Sequence, residues 1–595
     1  MNNKKYDGVY YEWPYVETLK EVIENTVAKY PDRTAYMYKD VHKDPFQSIT
    51  YKEFDVQRRA LGTALLGMGL KDSKIAVTGE NSHRWVLSYF TVVTGVGVIV
   101  PIDKSLQIGE IENLLRRADV ELLFVSPKMV DSLIPCLDAV ESLRYLVITD
   151  SPEKDYSKYR EDSRILLQSE LVKVGKRKLR EGHCEYEEAE VNADDLSTIL
   201  FTSGTTGLAK GVMLSHRNLA QNVYNMSKFF RIPDGGRVLS VLPIHHAYEM
   251  SCTVMTSFYQ GATVVICEGL KHIQSNFAEA ECSVMLGVPL IFENMHRKVW
   301  KQAEKRGSLS KLQRGIALSK KMKFQNHPRA TRKMFRTIHE LFGKNHYMFI
   351  AGGAAIDPAV IDDFEAMGFP MFQGYGMTEC SPIIAMNSDR YRKSAAAGKP
   401  LPGTEVRIVD ENEEGIGEII AKGPSVMQGY YKDPENTAKT LRDGWLYTGD
   451  YGYFDEDGFL FITGRKKNVI VTKGGKNIFP EEVEYYLQLD ERIQEVIVYG
   501  KHDDTKDDLI CTAIIYPNYS VLREQGVQED GEIYRVLRKI VDDANDKMPP
   551  YKRVKRIEVR DEEFIKTTTL KIKRFEEQNY EYKFDDRSIH SGRRV

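Results

Sequence analysis

The chain has 595 residues, of which 42% are hydrophobic and 28% charged, and its formal net charge is −3 at pH 7. This length exceeds that of a typical domain several-fold and predicts more than one hydrophobic core. The near-neutral charge excludes a global basic field for nucleic acid, and seven scattered cysteines without a Cys-x-x-Cys pair favour a reducing cytoplasm over a disulfide framework.

The first third of the chain alternates helical and strand-like segments, which predicts parallel βαβ units. Thr50 is placed to cap a helix, and short strands are predicted at residues 75–78, 98–101 and 122–125. The most apolar stretch, residues 85–102, is broken by serine, threonine and glycine, so it predicts a buried helix leading into a strand rather than a membrane span. Residues 153–190 are charged and predict a surface excursion.

The α/β rhythm returns over residues 197–372, with strands predicted at 238–242, 262–267 and 347–350. Residues 404–463 show short β segments separated by turns, typical of a small antiparallel sheet or barrel. After Gly464 the pattern changes to a compact α+β unit with helices from Pro480 and over 532–548. The predicted fold class is therefore α/β, with a large N-terminal domain of α/β sheets flanked by helices plus a small β-barrel-like part, followed by a small α+β domain. We place the large domain at residues 1–464, a hinge at 465–467 and the small mobile domain at 468–595.

A small, hydroxyl-rich and glycine-broken stretch follows the apolar run of residues 197–201 and reads Thr-Ser-Gly-Thr-Thr-Gly-Leu-Ala-Lys-Gly. Backbone N–H groups and hydroxyls in such a loop suit phosphate oxygens, so the stretch predicts a nucleoside triphosphate as substrate. It is not a Walker loop, because Ala209 precedes Lys210 and Gly211 follows it. A helix is predicted from the N-cap Ser215, so that strand, loop and helix stand in order; a flexible surface turn of the same composition is the alternative. The predicted phosphate-binding residues are Thr202, Ser203, Gly204, Thr205, Thr206, Gly207 and Lys210.

The whole string from Ile199 to His216 closely resembles the phosphate-loop signature of the adenylate-forming superfamily, which includes acyl-CoA synthetases, adenylation domains and firefly luciferase. The resemblance extends from about Trp13 to Arg574 and is closest to long-chain fatty acyl-CoA synthetases, especially between Asp443 and Glu484. It implies the fold and activity of that group as expectations.

A second cluster reads Gly-Tyr-Gly-Met-Thr-Glu over residues 374–379. Glycines beside a tyrosine let backbone approach a planar ligand, and a carboxylate is a hard oxygen ligand for Mg²⁺; a turn before a buried strand is the alternative. By resemblance, Tyr375 with Gly374 and Gly376 would bind adenine, Thr378 would contact the α-phosphate and Glu379 would hold the metal. Upstream, Gly352, Gly353 and Ala354 resemble the glycine-rich segment beside adenine.

Two further clusters resemble the ribose site and the hinge of this superfamily. Asp450 ends a Tyr-Thr-Gly-Asp string and would bind the ribose hydroxyls together with Arg465, fifteen residues later, although an aspartate capping a turn is the alternative. Lys467 takes the hinge position, and Gly475 lies in the segment that would line the channel for pantetheine.

Two residues are predicted to act on the carboxylate of the substrate. Lys571, in the run Lys-Thr-Thr-Thr-Leu-Lys-Ile-Lys-Arg over 566–574, resembles the catalytic lysine, although Leu570 stands where most members carry glycine; a solvated basic tail is the alternative. His246, within Leu242 to Glu249, resembles the side chain beside the substrate carboxylate. Adjacent histidines are poorly placed to share one metal, so His245 and His246 do not predict a zinc site.

The resemblance implies an AMP-forming ligase that activates a fatty acid, expected to be long-chain, with ATP and Mg²⁺ and transfers the acyl group to coenzyme A. A ligase for another acid or for a carrier protein, and a non-catalytic nucleotide-binding or membrane-associated scaffold, are the alternatives. The partners are then small molecules and not nucleic acid, and the oligomeric state stays open.

One segment departs from the near-neutral charge of the chain. Residues 297–344 are rich in cations, including Lys320, Lys321, Lys323, Arg329, Arg332, Lys333 and Arg336. They predict either a solvated helical face or a patch for anionic headgroups or cofactor phosphates. A headgroup patch would give a cytoplasmic protein peripheral contact with the inner face of the membrane.

Overall fold

The computed structural model describes residues 10–152, 154–202, 209–324, 327–343, 345–472, 476–503, 508–567, 572–574 and 583–585. The chain divides into two units, the first comprising Met1–Val406 with Ala421–Leu446 and the second Arg407–Ile420 with Tyr447–Val595. The division passes through three strands rather than at residue 464: β17 Glu405–Val409, β18 Gly417–Lys422 and β21 Trp445–Phe454.

Two large sheets form the first unit. An eight-stranded sheet has the order β19-β9-β8-β4-β3-β5-β6-β7, parallel from β8 to β7. Its strands are β3 Ser73–Thr78, β4 Gly97–Ile102, β5 Leu122–Val125, β6 Tyr145–Ile148, β7 Ile165–Leu167, β8 Leu196–Thr202, β9 Lys210–Ser215 and β19 Gly429–Tyr430. The predicted strands near residues 75, 98 and 122 are confirmed.

A nine-stranded sheet has the order β16-β15-β14-β13-β12-β10-β11-β1-β2 and is parallel from β14 to β1. Its strands are β1 Thr34–Tyr38, β2 Gln47–Thr50, β10 Arg237–Ser240, β11 Thr263–Ile266, β12 Val284–Gly287, β13 Met348–Ala351, β14 Met371–Gly376, β15 Ile383–Met386 and β16 Lys399–Pro400. The short strand β20 Leu441–Arg442 pairs with the start of β21. Parallel strands buried by helices account for the predicted α/β class.

Two helices of the first unit begin at caps that the sequence predicted. Thr50 and Ser215 each form a capping box, at the starts of α2 and α8, as the sequence predicted. The helices are α1 Leu19–Lys29, α2 Tyr51–Gly67, α3 His83–Val93, α4 Ile108–Arg117, α5 Val130–Leu133, α6 Cys136–Ala139, α7 Gln168–Arg180, α8 His216–Ser227, α9 Thr256–Tyr259, α10 Ile273–Glu279, α11 Pro289–Lys305, α12 Leu309–Met322, α13 Pro328–Met334, α14 Arg336–His339, α15 Pro358–Ala366 and α16 Pro434–Thr440. A π-helix covers Tyr248–Met255.

Two sequence expectations for this unit are wrong. A strand, β9, stands between the phosphate-type loop and helix α8, and it pairs antiparallel with β8 so that Thr202 lies opposite Lys210. Residues 153–190 are not only a surface excursion, because β7 extends the sheet and α7 packs against α2, where a Cβ on Gly175 would meet the carbonyl oxygen of Ala60. The few apolar residues of this segment, with Tyr186, are sufficient to anchor it.

The second unit includes the residues after Gly464, for which the sequence predicted an α+β unit, and a separate core there includes residues of helices α17 and α19. Its elements are β22 Leu460–Arg465, β23 Ile470–Val471, β24 Asn477–Ile478, α17 Pro480–Gln488, β25 Ile493–Asp503, β26 Asp508–Pro517, α18 Tyr519–Glu524, α19 Asp530–Asn545, β27 Val554–Val559 and β28 Phe584–Asp585. Four of the strands form a sheet in the order β25-β26-β27-β28. Within the described residues of the whole chain, no helix has the length and apolar character needed to span a bilayer.

Candidate active site

Three of the predicted site segments in the first unit lie at one edge of the nine-stranded sheet. Strands β10, β13 and β14 run parallel in this sheet, so their carboxyl ends share an edge. The turn with His246 follows β10, Gly352–Ala354 follow β13, and Gly374–Gly376 end β14. A ligand is expected at such an edge in an open parallel sheet.

The turn of residues 241–248 carries His246 and is anchored by the eight-stranded sheet. Asn81, just after β3, donates its side-chain amide to the carbonyl oxygen of Leu242 at 2.6 Å and accepts from the N–H of Ile244 at 3.1 Å. His245 Nε2 lies 3.4 Å from Oδ2 of Asp103, the residue after β4. Although burial opposes ionisation of Asp103, its hydrogen bonds with His245 and Ser105 hold the pKa of that carboxyl below its ordinary value. The carboxyl ends of both sheets therefore meet at this turn.

Gly352 touches the same turn through Tyr248. A Cβ on Gly352 would lie 2.7 Å from the Tyr248 hydroxyl oxygen, and that hydroxyl donates to the carbonyl oxygen of Ile350 at 3.3 Å. Gly353 has a positive φ of 86°, and both it and Ala354 are exposed. The glycine at 352 is thus required by a close approach, while its two neighbours face solvent.

The segment with Tyr375 is held by a tight antiparallel pairing with β15. A Cβ on Gly376 would lie 2.0 Å from the carbonyl oxygen of Pro382, so only glycine fits there. Tyr375 packs against an apolar cluster that includes Cys380 and Ile384. Thr378 and Glu379 follow in a 3₁₀ turn, and both are partly exposed.

A chain of contacts joins Glu379 to Lys210. The Tyr430 hydroxyl donates to Oε1 of Glu379 at 2.9 Å, and Nζ of Lys210 lies 5.0 Å from the centre of the Tyr430 ring. The same Nζ donates to Oδ1 of Asn436 at 3.0 Å. Burial, together with Glu379, raises the pKa of Tyr430, so its hydroxyl stays a hydrogen-bond donor across the physiological range. The predicted metal ligand Glu379 and Lys210, at one end of the predicted phosphate loop, therefore share Tyr430 as a neighbour.

Replacing Tyr430 by phenylalanine (Tyr430→Phe) is expected to lower kcat/KM for MgATP by roughly 10- to 100-fold, because a hydrogen bond to a carboxylate contributes about 1.5–3 kcal/mol. The measurement is acid-dependent pyrophosphate release at varied Mg²⁺ concentration, where the variant should need more Mg²⁺. Tyr431→Phe is the matched control, because the Tyr431 hydroxyl bonds Asp119 on an exposed surface. Equal losses in both variants would contradict a specific role for Tyr430.

In the second unit, the structure brings Asp450 and Arg465 together. They lie opposite each other in the β21–β22 pairing, and Nε of Arg465 is 2.8 Å from Oδ1 of Asp450. Asp450 is only 4% exposed, and its N–H donates to the Thr448 hydroxyl, which itself donates to the carbonyl oxygen of Ile419. Glu418 braces the same turn, accepting from the N–H of Gly449 at 3.2 Å and pairing with Lys466 at 2.5 Å.

The second unit also joins two of the strings that carry the resemblance. Arg574 forms an ion pair with Glu484 in α17 and donates to the carbonyl oxygen of Val498 at 3.2 Å. Ile572, the residue after Lys571 in sequence, pairs with Lys566. Partial desolvation, with Arg465 and Arg574 nearby, lowers the pKa of Lys467. Lys571 itself, together with Ser203, Gly204, Thr205, Thr206, Gly207 and Gly475, lies outside the described residues.

Several side chains of these sites were missed by the sequence analysis. Tyr430, Asn436 and Asn81 each contact a predicted residue or its turn, but they lie 51, 226 and 161 residues away from it in sequence. A lone tyrosine or asparagine carries no signal of such a contact. Only the sheet order, which pairs β19 with β9, brings Tyr430 to Lys210.

Known ligases are similar to this chain over nearly its whole length. A long-chain-fatty-acid–[acyl-carrier-protein] ligase of Arabidopsis thaliana chloroplasts is 25% identical over 95% of this chain and 85% of its own length. A long-chain-fatty-acid–CoA ligase of Bacillus subtilis is 28% identical over 94% of this chain and 93% of its own. Human long-chain-fatty-acid–CoA ligase 1 is 28% identical over 90% of this chain and 81% of its own.

Solved structures share the fold at lower identity. The anthranilate CoA ligase AuaEII in complex with anthranoyl-AMP superposes with a TM-score of 0.73 at 20% identity, covering 96% of this chain and 97% of that one. ATP-bound MatB from Rhodopseudomonas palustris gives 0.71 at 22% identity, covering 94% and 98%. The family profile of the AMP-binding enzymes matches residues 23–431, which include the phosphate loop and the Tyr375 and Glu379 segment. The chain therefore belongs to the AMP-binding enzyme family.

Proposed function

We propose that the protein is an AMP-forming ligase that couples a fatty acid to coenzyme A in two steps. The acid carboxylate attacks the α-phosphorus of ATP, forming acyl adenylate and releasing pyrophosphate; the thiol then displaces AMP to give the thioester. The observation that carries this proposal is the Glu379–Tyr430–Lys210 chain at one end of the phosphate loop, within the region that the family profile matches. The relatives named as long-chain-fatty-acid–CoA ligases support the acid and the thiol.

The first step must overcome repulsion between a carboxylate and a polyanion, so the site has to supply positive charge where negative charge builds up. Lys571 would bridge the carboxylate and the α-phosphate, and the amides and hydroxyls of residues 202–207, with Lys210, would hold the outer phosphates. Thr378 would contact the α-phosphate and His246 the carboxylate of the acid. Alignment of the two reactants is a second contribution of the same groups.

The nucleoside would be held by the adenine and ribose segments. In the first unit, Gly352–Ala354 and Gly374–Gly376 would admit adenine, with Tyr375 as its stacking face. In the second, the buried Asp450 would accept the ribose hydroxyls, and Arg465 is already paired with that carboxylate. Gly475 would line the pantetheine channel.

Glu379 fits a magnesium ion that arrives with the nucleotide. Its carboxylate is partly exposed and positioned by Tyr430, and one carboxylate with substrate phosphates and water is a common ligand set for Mg²⁺. Among the residues that the structure describes, no group of three or more His, Cys, Asp and Glu side chains is placed to hold a metal. Bound Mg²⁺ would neutralise part of the phosphate charge.

Adenylation and thioester formation would need different residues of the small domain at the reacting atoms. We assign the change between them to a rotation of the small domain, residues 468–595, about the hinge at 465–467. The 3₁₀ turn Lys466–Asn468 follows directly on β22, and element ends of this kind absorb backbone rotation in domain closure. The large domain, residues 1–464, would stay fixed on the nucleotide.

A carrier protein is the second candidate acceptor, because the Arabidopsis relative is named for acyl-carrier protein. A panel of acids from acetate to oleate and benzoate, read by pyrophosphate release with coenzyme A or a carrier protein present, tests the proposal. We expect acid-dependent release that is greatest with long-chain acids, together with thioester on coenzyme A. Release without any acid would contradict acid activation, and no release with any acid would support the non-catalytic scaffold instead.

We also assign peripheral membrane contact to the cationic helices, with the protein in the cytoplasm. Residues 297–336 hold fourteen lysines and arginines against one glutamate. Three large apolar side chains are exposed among them, Leu318 at 47%, Met322 at 53% and Met334 at 38%. Exposed cations with interspersed apolar side chains suit the headgroup region of an anionic bilayer.

Charge reversal of three exposed residues of α12 (Lys311→Glu, Arg314→Glu and Lys321→Glu together) is expected to reduce sedimentation with phosphatidylglycerol-containing vesicles more than tenfold, because each cation contributes about 1 kcal/mol at an anionic surface. The same three reversals on α7, at Lys173, Arg177 and Arg180, are the matched control. Acid-dependent pyrophosphate release with a soluble short-chain acid should stay unchanged. Equal binding of the wild type to purely zwitterionic vesicles would contradict the assignment.

A further inference from the structure

The buried acidic side chain of Glu249 has no role in the proposed reaction. Glu249 lies in the first turn of the π-helix Tyr248–Met255 and is 0% exposed. Short π-helical segments are rare and occur frequently at functional sites. The residue comes three positions after His246, on the element that ends the turn of residues 241–248.

Two hydroxyl donors hold the Glu249 carboxylate, one on each oxygen. The Ser240 hydroxyl donates to Oε1 at 2.6 Å, and the Thr253 hydroxyl donates to Oε2 at 3.0 Å. A carboxylate accepts from both hydroxyls at once, whereas an amide has a single oxygen and would have to donate its N–H₂ to the other hydroxyl.

The bond from Ser240 joins the two ends of the His246 turn. Ser240 is the last residue of β10, while Glu249 stands just beyond the end of the turn. Asn81 and Asp103 hold the middle of the turn from the other sheet, as described above. Burial raises the pKa of Glu249 to about 7, while the hydrogen bonds from Ser240 and Thr253 act against that rise by stabilising the ionised form.

We propose that Glu249 is a positioning residue for acid activation: its carboxylate closes the turn of residues 241–248 and thereby holds the His246 imidazole at the carboxyl group of the acid. The inference rests on the proposed function, since it assigns His246 to the acid substrate. It predicts that Glu249 acts through His246 and not through the nucleotide. A misplacement of about 1 Å at such a group costs roughly 100-fold in rate.

The test is a double-mutant cycle of Glu249→Gln with His246→Ala, read as kcat/KM for the fatty acid and for ATP. Alone, Glu249→Gln should lower kcat/KM for the acid by about 10- to 100-fold, with KM for ATP unchanged. In the His246→Ala background, Glu249→Gln should lower kcat/KM for the acid by no more than about twofold further. A change of that size lies within the deviation from additivity that is seen even for independent sites. Full multiplication of the two effects, or an equal loss for ATP, would overturn the inference.

Thr253→Val keeps the experiment decisive if Glu249→Gln does not fold. It removes one donor and leaves the carboxylate in place, so a smaller loss for the acid, again absent in the His246→Ala background, is expected. A thermal melt of each variant checks that the fold is retained. If His246→Ala leaves acid activation unchanged, the proposed role of His246 fails; if His246→Ala impairs it but the Glu249 and Thr253 effects multiply with that loss, only the positioning role fails.

Discussion

Replacing Lys571 by alanine (Lys571→Ala) is expected to abolish carboxylate-dependent exchange of pyrophosphate into ATP while leaving the reaction of preformed acyl adenylate with thiol intact. The ammonium group is needed only where the carboxylate meets the α-phosphate, and removing a group that stabilises developing charge costs roughly 100- to 1,000-fold. The second step starts from an acyl adenylate, in which the carboxylate is already bonded to the α-phosphorus. Both half-reactions are measured separately, with isotopic pyrophosphate and with synthetic adenylate.

Lys573→Ala is the matched control, because it removes a lysine from the same segment two residues away. Its backbone N–H donates to the carbonyl oxygen of Ile565 at 2.8 Å, a bond that alanine keeps. The control should retain both half-reactions. Loss of both in Lys571→Ala would assign this lysine to folding, and retention of both would remove it from the chemistry.

Replacing Lys467 by proline (Lys467→Pro) is expected to give the opposite result, sparing adenylation and blocking thioester formation. Proline fixes φ near −65° and removes a backbone N–H, so a turn that must change its backbone angles between the two steps becomes locked. Residue 467 lies in the 3₁₀ turn after β22, at the predicted hinge. Thioester yield from acid, ATP and coenzyme A is the measurement, alongside pyrophosphate exchange.

Lys467→Ala separates the side chain from the backbone. It removes the ammonium group near Arg465 and Arg574 but leaves the backbone free to rotate, so thioester formation should persist. Unchanged thioester yield in the proline variant would contradict the hinge. A loss of adenylation in both variants would instead give Lys467 a role at the nucleotide.

Much of the fold followed from local signals in the sequence. Thr50 and Ser215 could be recognised as helix caps because a capping residue acts on its own first turn. The strands near residues 75, 98 and 122 followed from short β-branched and apolar runs. Strand β9 was missed because the glycine-rich stretch and the cap at Ser215 predicted a loop running straight into a helix, whereas pairing with β8 depends on a partner strand.

Helix α7 shows the limit of composition as a guide. Residues 153–190 are charged, yet α7 packs closely on α2 because Gly175 lets the two backbones approach at Ala60. A single glycine in a charged helix gives no sign of such a contact until the partner helix is known. The burial of α7 therefore depends on its packing against α2 and not only on its content of apolar residues.

The candidate site shows the same division between local and long-range information. The strings that carry the resemblance predicted Glu379, Asp450, Arg465 and Lys210 without coordinates. The Tyr430 bond to Glu379 and the two bonds to Glu249 depend on strand order and on a π-helix, so no sequence pattern indicated them. Residues that position others are the hardest to predict, because their chemistry is ordinary and only their location is special.

The central claim is that one pocket joins a fatty carboxylate to the α-phosphorus of ATP. The most direct measurement is exchange of labelled pyrophosphate into ATP with a long-chain fatty acid present and coenzyme A absent. The account predicts exchange that requires the acid and Mg²⁺ and that disappears in Lys571→Ala. Exchange without the acid, or its absence when the enzyme still forms acyl-CoA with ADP as the nucleotide product, would contradict it.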